Sequence, residues 1–222
     1  MSNQTPDLVD RLATPEETGI DPALLVPLLR MLAHGEPVDI EQLAAETGRS
    51  IEEVRSGLAA VPDTEYDDAG RIIGQGLTLR PTRHRFTVDG QELYTWCALD
   101  TLMFPVLIDR TATIESSSPA SGQPIRVTAT PDQVTSVEPT TAVVSLVNAE
   151  DMSSIRSSFC NQVHYFTSAE DAQPWLAEHP SAEVFQVADA YQLGAALTTN
   201  LLDRLGAGTG GDEAPAVGRC IC

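Results

Sequence analysis

The chain has 222 residues, 42% of them apolar, and a formal net charge of −19. This apolar content is enough for a sizeable core and excludes a wholly disordered chain. All 13 basic residues are arginine, and the acidic balance argues against nucleic acid or an anionic membrane as a partner, because both carry negative charge.

The N-terminal segment, residues 1–19, is polar and is expected to be loosely ordered. It has neither the basic region nor the apolar region of a secretory signal. The sequence contains no run of about 18 apolar residues, so no membrane-spanning helix is predicted. We therefore expect a cytoplasmic protein. Its four cysteines are then ligands, nucleophiles or inert core residues rather than a disulfide framework.

Residues 20–88 are expected to form a winged-helix-like domain with three helices. The pattern predicts one helix over residues 21–37, two short helices over residues 38–61 and paired strands over residues 65–90. Ser50 and Glu53 have the spacing of a capping box at the start of the third helix. This order of elements is typical of a winged helix.

The charge of this region argues against DNA binding. Residues 1–80 hold 15 acidic residues against 6 arginines, and the helix in the recognition position carries Glu52 and Glu53 against Arg55. Proteins that bind nucleic acid usually show a basic surface. We therefore expect a structural or interaction role for this domain.

Residues 89–204 are expected to form a catalytic α+β domain, in which helices flank a mixed or antiparallel sheet. A helix over residues 92–108 precedes short β-rich runs, which predict about four to six strands, mostly antiparallel or mixed. Two helices follow, over residues 169–180 and 188–205. Residues 205–222 form a Gly/Pro-rich tail that we expect to be flexible.

The segment WCALDTLMFP, residues 96–105, places a carboxylic acid inside an apolar run. If residues 93–104 are helical, Cys97 and Asp100 share one face, and the position of Cys97 near the helix N-terminus favours its thiolate. Asp100 would then carry a proton beside that sulfur. The alternative is an inert buried cysteine next to an aspartate that caps a neighbouring backbone group. This segment alone leaves both interpretations open.

Cys160 lies in SIRSSFCNQVHYFTS, just before a predicted strand. An extended backbone over residues 160–164 would turn Cys160, Gln162 and His164 to the same side. A single Cys-x3-His pair is a weak metal signal, and His164 fits better as a core or strand-face histidine that hydrogen-bonds its neighbours. Two thiolates would suit a soft metal, and an acid beside them would protonate a carbon bonded to that metal.

The segments LYTWCALDTLMFPVLIDRTATIES and SIRSSFCNQVHYF together resemble the organomercurial (alkylmercury) lyases. The resemblance extends over about residues 20–205 and includes the winged-helix-like part, which does not read DNA in that family. It implies an enzyme that cleaves the carbon–mercury bond by protonolysis and releases a hydrocarbon and Hg(II). It also implies that no added cofactor is required and that Hg(II) is bound as product.

The resemblance implies that Cys97 and Cys160 are the mercury-binding thiolates and that Asp100 relays the proton. Organomercurial substrates and low-molecular-weight thiols are the implied partners, and a mercuric reductase is a further candidate. Two positions depart from the family pattern, because Ser118 and Asn161 stand where some relatives have additional cysteines. Neither position belongs to the implied catalytic group.

Cys220 and Cys222 follow a Gly-rich stretch whose reach is roughly 20 Å. We hypothesise that this dithiol takes Hg(II) from Cys97 and Cys160; the alternative is a pair of thiols without a role.

Two other functions of the whole protein are also open. One is a protein of the same fold that holds copper(I) or mercury(II) without catalysis, and the other is a metal-sensing regulator. A buried proton donor favours the enzyme over a carrier, and the acidic recognition helix argues against the regulator.

Overall fold

The computed structural model describes residues 5–12, 14–148 and 152–208. The helices in these ranges are α1 (Thr5–Leu12), α2 (Pro15–Thr18), α3 (Pro22–Leu32), α4 (Ile40–Thr47), α5 (Ile51–Ala59), α6 (Ala98–Ile108), α7 (Ile155–Ser158), α8 (Gln173–Glu178) and α9 (Val187–Gly208). The strands are β1 (Glu65–Tyr66), β2 (Ile72–Gln75), β3 (Leu77–Thr78), β4 (His84–Val88), β5 (Gln91–Thr95), β6 (Ala112–Ser117), β7 (Pro124–Ala129), β8 (Val134–Glu138), β9 (Val143–Leu146), β10 (Tyr165–Phe166) and β11 (Glu183–Gln186).

The N-terminal part confirms the predicted winged-helix-like arrangement of α3, α4 and α5 followed by short strands. The capping box also forms, because the Glu53 N–H donates to Ser50 Oγ at 3.3 Å and the Ser50 N–H donates to Glu53 Oε2 at 2.8 Å. An antiparallel bridge between Val38 and Ile72 joins the helices to the strands. The three helices therefore pack onto the edge of the sheet.

The first residues differ from the expectation of a loosely ordered segment over residues 1–19. Residues 5–12 and 15–18 are helical. Leu8 and Leu12 are each only 4% exposed and belong to the main core. Their four-residue spacing puts both leucines on one helix face, a short signal that the polar composition of the segment obscured.

An antiparallel sheet of eight strands runs through both halves of the chain, in the order β1-β2-β3-β5-β4-β6-β7-β8. A second sheet, also antiparallel, has the order β10-β9-β11. The six strands beyond α6 agree with the predicted number, but they divide between the two sheets. The domain boundary expected between residues 88 and 89 falls inside the β4–β5 hairpin, so the large sheet is continuous across it.

The central helix α6 packs against α3, α9 and the large sheet. Nine of its eleven residues are buried, as expected for a helix that is apolar on all sides. The residue just before it, Cys97, therefore lies in the protein interior. At the other end of the chain, α9 continues to residue 208, into the predicted tail, and Cys220 and Cys222 lie outside the described residues. None of the described helices is long and apolar enough to cross a bilayer.

Candidate active site

Cys97, Asp100 and Cys160 meet at the N-terminal end of α6. One sulfur or carboxylate oxygen from each residue lies within 4.8 Å of the other two. Cys97 is 0% exposed and Cys160 4% exposed, and both are free thiols. Asp100 is partly accessible, and it lines an internal cavity together with Cys160. The three residues that the sequence singled out thus form one compact cluster.

Cys97 is the N-cap residue of α6, and Asp100 completes a capping box with it. The Asp100 N–H donates to Cys97 Sγ at 3.5 Å, and the Cys97 N–H donates to Asp100 Oδ2 at 3.2 Å. Asp100 therefore caps a backbone group, as the inert interpretation required, and lies beside the sulfur at the same time. The two interpretations of this segment do not exclude each other.

Backbone hydrogen bonds bring Cys160 to this position. The Ala98 N–H donates to the Val163 carbonyl at 3.1 Å, and the Val163 N–H donates to the Cys160 carbonyl at 3.1 Å. The residues Cys160–Gln162 form a 3-10 turn, so the expected extended backbone was wrong there. The chain bends into the core here, before it forms β10 and pairs with β9. The 3-10 turn provides hydrogen bonds for the backbone N–H and C=O groups at this bend.

Sequence reasoning missed the charged residues that support the Cys160 segment. Asp63 Oδ2 accepts hydrogen bonds from Ser154 Oγ at 3.0 Å and from the Arg156 N–H at 3.1 Å, which holds the start of α7. The Arg156 guanidinium pairs with the buried carboxylate of Glu65 and lies 4.9 Å from the centre of the Trp96 ring. Asp63 and Glu65 are about 90 residues from these partners in the chain, and no local pattern reveals the pairs.

His164 does not join the cysteines. The described residues that are placed to hold a metal are Cys97, Asp100 and Cys160. His164 instead packs against the rings of His84 and Trp175, at centroid distances of 6.4 and 6.2 Å. Burial lowers the pKa of His164 to about 4, so the ring is neutral near pH 7. The interpretation of His164 as a packed histidine was the better one, although no described residue hydrogen-bonds to its Nδ1 atom.

Beside the cluster lies a cavity of about 60 Å³ with mainly apolar walls. Its polar residues are Gln75, Asp100 and Cys160, while Leu99 and Phe159 are among the apolar ones. Gln75 is only 5% exposed, and its Oε1 atom has no hydrogen-bond partner among the described residues. A glutamine at the end of a short strand looks like a surface residue, and sequence reasoning therefore missed it.

Burial controls the electrostatics of the cluster. It raises the pKa of Asp100 to about 7, against the opposing effect of hydrogen bonds from Cys97. Burial also raises the pKa of Cys97 well above its ordinary value, and the neighbouring Cys160 and Asp100 add to this. For Cys160, the hydrogen bond with Cys97 lowers the pKa, as does the charge of Arg156, but burial and nearby carboxylates outweigh both effects and the pKa is raised.

One of the two departures from the family pattern, Ser118, has a structural substitute. Ser118 is 0% exposed, and its Oγ accepts the N–H groups of Ala120 and Ser121 at 3.1 and 3.3 Å. The turn is therefore held without a cysteine. Asn161 lines a second, more polar cavity, whose wall also includes Trp96.

Two family models together match nearly the whole chain. The model described as alkylmercury lyase matches residues 77–199, and the model described as the helix-turn-helix domain of alkylmercury lyase matches residues 4–76. All three clustered residues lie in the first of these matches. The models meet at residues 76 and 77, which is earlier than the boundary expected from the sequence pattern.

Curated relatives and a solved structure agree with the family models. The chain is 54% identical over 206 residues to an alkylmercury lyase of Streptomyces lividans, covering 91% of this chain and 96% of that protein. It is 56% identical over 171 residues to an alkylmercury lyase of Staphylococcus epidermidis, covering 77% and 79%. A crystal structure of the mercury-bound form of MerB2 has a similar fold, with a TM-score of 0.74, 23% identity and coverage of 90% of this chain and 100% of that one.

Proposed function

Because the chain belongs to the alkylmercury lyase family, whose members cleave carbon–mercury bonds, we propose that Cys97, Cys160 and Asp100 perform this cleavage by protonolysis. The observation that carries the proposal is the approach of two sulfurs and one carboxylate oxygen to within 4.8 Å of one another. Thiolates are preferred ligands of soft metals, whereas a carboxylate is better suited to carrying a proton. No added cofactor is part of the proposed reaction.

In the first step, the Cys160 thiol attacks the mercury of R–Hg–X. The mercury–sulfur bond forms, the mercury–X bond breaks, and the thiol proton leaves with X as HX. Cys160 is the better first nucleophile because the Arg156 charge and the hydrogen bond from Cys97 both oppose the rise of its pKa. The pKa of Cys97 stays well above its ordinary value through burial, so Cys97 enters the reaction with its proton. The product of this step is an organomercury thiolate, R–Hg–S.

In the second step, Asp100 moves the Cys97 proton to carbon. The Asp100 carboxylate takes the proton as the Cys97 sulfur bonds to mercury, and then delivers it to the carbon as the carbon–mercury bond breaks. The bonding electrons stay with carbon, R–H leaves, and Hg(II) is held by Cys97 and Cys160. A pKa of about 7 supports this role, because a relay works best when its pKa lies near the working pH.

The cavity supports the same reaction. Its apolar walls suit an alkyl or aryl group and keep bulk water away from the sulfurs, which strengthens the electrostatic interactions inside. The product Hg(II) must then leave. We propose that low-molecular-weight thiols take it, with Cys220 and Cys222 as a tethered dithiol and a mercuric reductase as a further acceptor. The cytoplasmic location expected from the sequence stays a prediction.

One experiment separates a lyase from a carrier of the same fold. The protein is incubated with phenylmercury acetate and excess thiol, and benzene is measured by gas chromatography. We expect many equivalents of benzene per protein. Binding of one equivalent of phenylmercury without benzene would support the carrier and contradict the proposed protonolysis.

A further inference from the structure

A second cavity, of about 220 Å³, shares Trp96 with the cavity that Asp100 and Cys160 line. Its wall includes Arg83, Arg156, Asn161, His164 and Trp96. No acidic side chain lines it among the described residues, although the chain has 32 acidic residues and only 13 basic ones. The cavity is therefore a locally cationic region on a strongly anionic protein.

The charged and polar groups of the wall are mainly hydrogen-bond donors. Arg83 contacts the carbonyl and hydroxyl oxygens of Ser117 at 3.5 and 3.4 Å, and no described carboxylate lies within ion-pair distance of it. Trp96 is only 7% exposed, and its indole N–H has no acceptor within the described part of the chain. Asn161 adds an amide, whereas Arg156 is partly neutralised by Glu65. Such a set of donors suits an anion with planar oxygen atoms.

The position of this cavity links it to the cluster. Trp96 lines both cavities and directly precedes Cys97, while Asn161 directly follows Cys160. The positive charge of Arg156 is also close enough to lower the pKa of Cys160. An anion bound here would place a group attached to it near the sulfurs that hold Hg(II).

We propose that this second cavity binds the carboxylate of a small anionic thiol and so delivers that thiol to the bound Hg(II). This inference rests on the proposed function and names the class of thiol that removes the Hg(II) product. Cys97 and Cys160 are buried, and the net charge of −19 repels anionic thiols from most of the surface. The Arg83 guanidinium in the cavity wall removes that barrier for a thiol that carries a carboxylate.

The transfer is a thiol exchange without a change in oxidation state. An incoming thiol forms a mercury–sulfur bond, the bond from mercury to one cysteine breaks, and the proton of the incoming thiol passes to the released cysteine. A second thiol repeats the exchange at the other cysteine. Hg(II) leaves with two small thiolates, and Cys97 and Cys160 return as thiols.

The test uses Arg83→Gln, with Arg110→Gln as a control that removes the same charge. Arg110 is paired with Asp89 and does not line the cavity. Each full-length variant also carries Cys220→Ser and Cys222→Ser and is loaded with one equivalent of Hg(II). The transfer rate of Hg(II) is then measured against 3-mercaptopropionate and against the uncharged 2-mercaptoethanol.

We expect Arg83→Gln to slow transfer to 3-mercaptopropionate by about tenfold, because a charge-assisted hydrogen bond is lost, and to change transfer to 2-mercaptoethanol less than about twofold. Arg110→Gln should leave both rates unchanged. Equal effects of Arg83→Gln on the two thiols, or no effect on either, would overturn the proposal. Because the protein is loaded with Hg(II) directly, the result does not depend on carbon–mercury cleavage. Benzene release in a single turnover tests the proposed function separately.

Discussion

Cys97 and Asp100 hold each other through two hydrogen bonds at the start of α6, Asp100 N–H to Cys97 Sγ and Cys97 N–H to Asp100 Oδ2. A helix start leaves backbone N–H groups that need acceptors, and a capping box usually meets this need with Ser or Thr and Glu. Here a cysteine and an aspartate meet it. The structural requirement of the helix therefore fixes the distance between the proposed mercury ligand and the proposed proton relay.

Replacing Cys97 by serine distinguishes the role of Cys97 as the N-cap of α6 from its proposed role as a mercury ligand. A serine hydroxyl is a preferred N-cap acceptor, so Cys97→Ser should keep the free energy of unfolding within about 1 kcal/mol of wild type. It should abolish benzene formation, because the second mercury ligand is lost. Urea unfolding and gas chromatography measure the two effects. Benzene formation at more than about a tenth of the wild-type rate would contradict the role of Cys97 as a ligand.

The proposed relay is tested with Asp100→Asn, which keeps the shape of the side chain but cannot carry the proton. We expect hydrocarbon formation to fall by about 10²- to 10⁴-fold, the usual contribution of a positioned acid or base, with stoichiometric Hg(II) binding retained. Asp109→Asn is the matched control at the other end of α6, because Asn tolerates the left-handed backbone of Asp109. Full turnover by Asp100→Asn would rule out the relay.

The raised pKa of Asp100 also predicts how stability depends on pH. Burial raises this pKa from 3.8 to about 7, so between these values the folded protein keeps a proton that the unfolded chain has lost. Stability should therefore fall as pH rises through this window, by at most roughly 4 kcal/mol from this group. Asp100→Asn should lack that loss, so its advantage over wild type in urea unfolding should grow from about pH 4 to pH 8. An advantage independent of pH would argue against the raised pKa.

Gln75 contributes to the cavity beside Asp100 and Cys160 an acceptor that has no partner among the residues the structure describes. A buried acceptor without a hydrogen bond costs about 1–3 kcal/mol. Gln75→Leu should therefore raise the free energy of unfolding by about 1 kcal/mol. Gln91→Leu, at an exposed strand position, should change it by less than about 0.5 kcal/mol. A Gln75→Leu variant that is less stable than wild type would contradict this expectation. It would indicate that the Gln75 amide stabilises the folded protein.

The proposed tail dithiol gives a further prediction. Substitution of Cys220 and Cys222 by serine should slow the loss of Hg(II) from Cys97 and Cys160 when no thiol is added, because a tethered dithiol acts at about millimolar effective concentration. Mercury release after one turnover measures this rate. Equal rates for the variant and wild type would exclude the tail from transfer, while excess added thiol should make the two proteins equivalent in either case.

Local patterns predicted the elements whose geometry depends on near neighbours. The Ser50–Glu53 capping box formed as expected. Cys97 and Asp100 do lie side by side, but Cys97 is the extended N-cap residue and the helix begins at Ala98, so the helix expected over residues 93–104 began too early. Long-range pairing accounts for the differences. The strands beyond α6 divide between two sheets, and the Cys160 segment turns instead of extending. The residues of these strands and of the Cys160 segment carry no local sequence pattern that predicts either outcome.

The sequence by itself determined which side chains are able to do the chemistry, and its two motifs indicated the family. Only the tertiary structure decided how they meet, because Cys97 and Cys160 are 63 residues apart and no helical or strand period operates over that distance. The decisive contact is the hydrogen bond from the Ala98 N–H to the Val163 carbonyl. This hydrogen bond ties the start of α6 to the end of the Cys160 turn. It therefore brings the sulfurs of Cys97 and Cys160 to the Asp100 carboxylate.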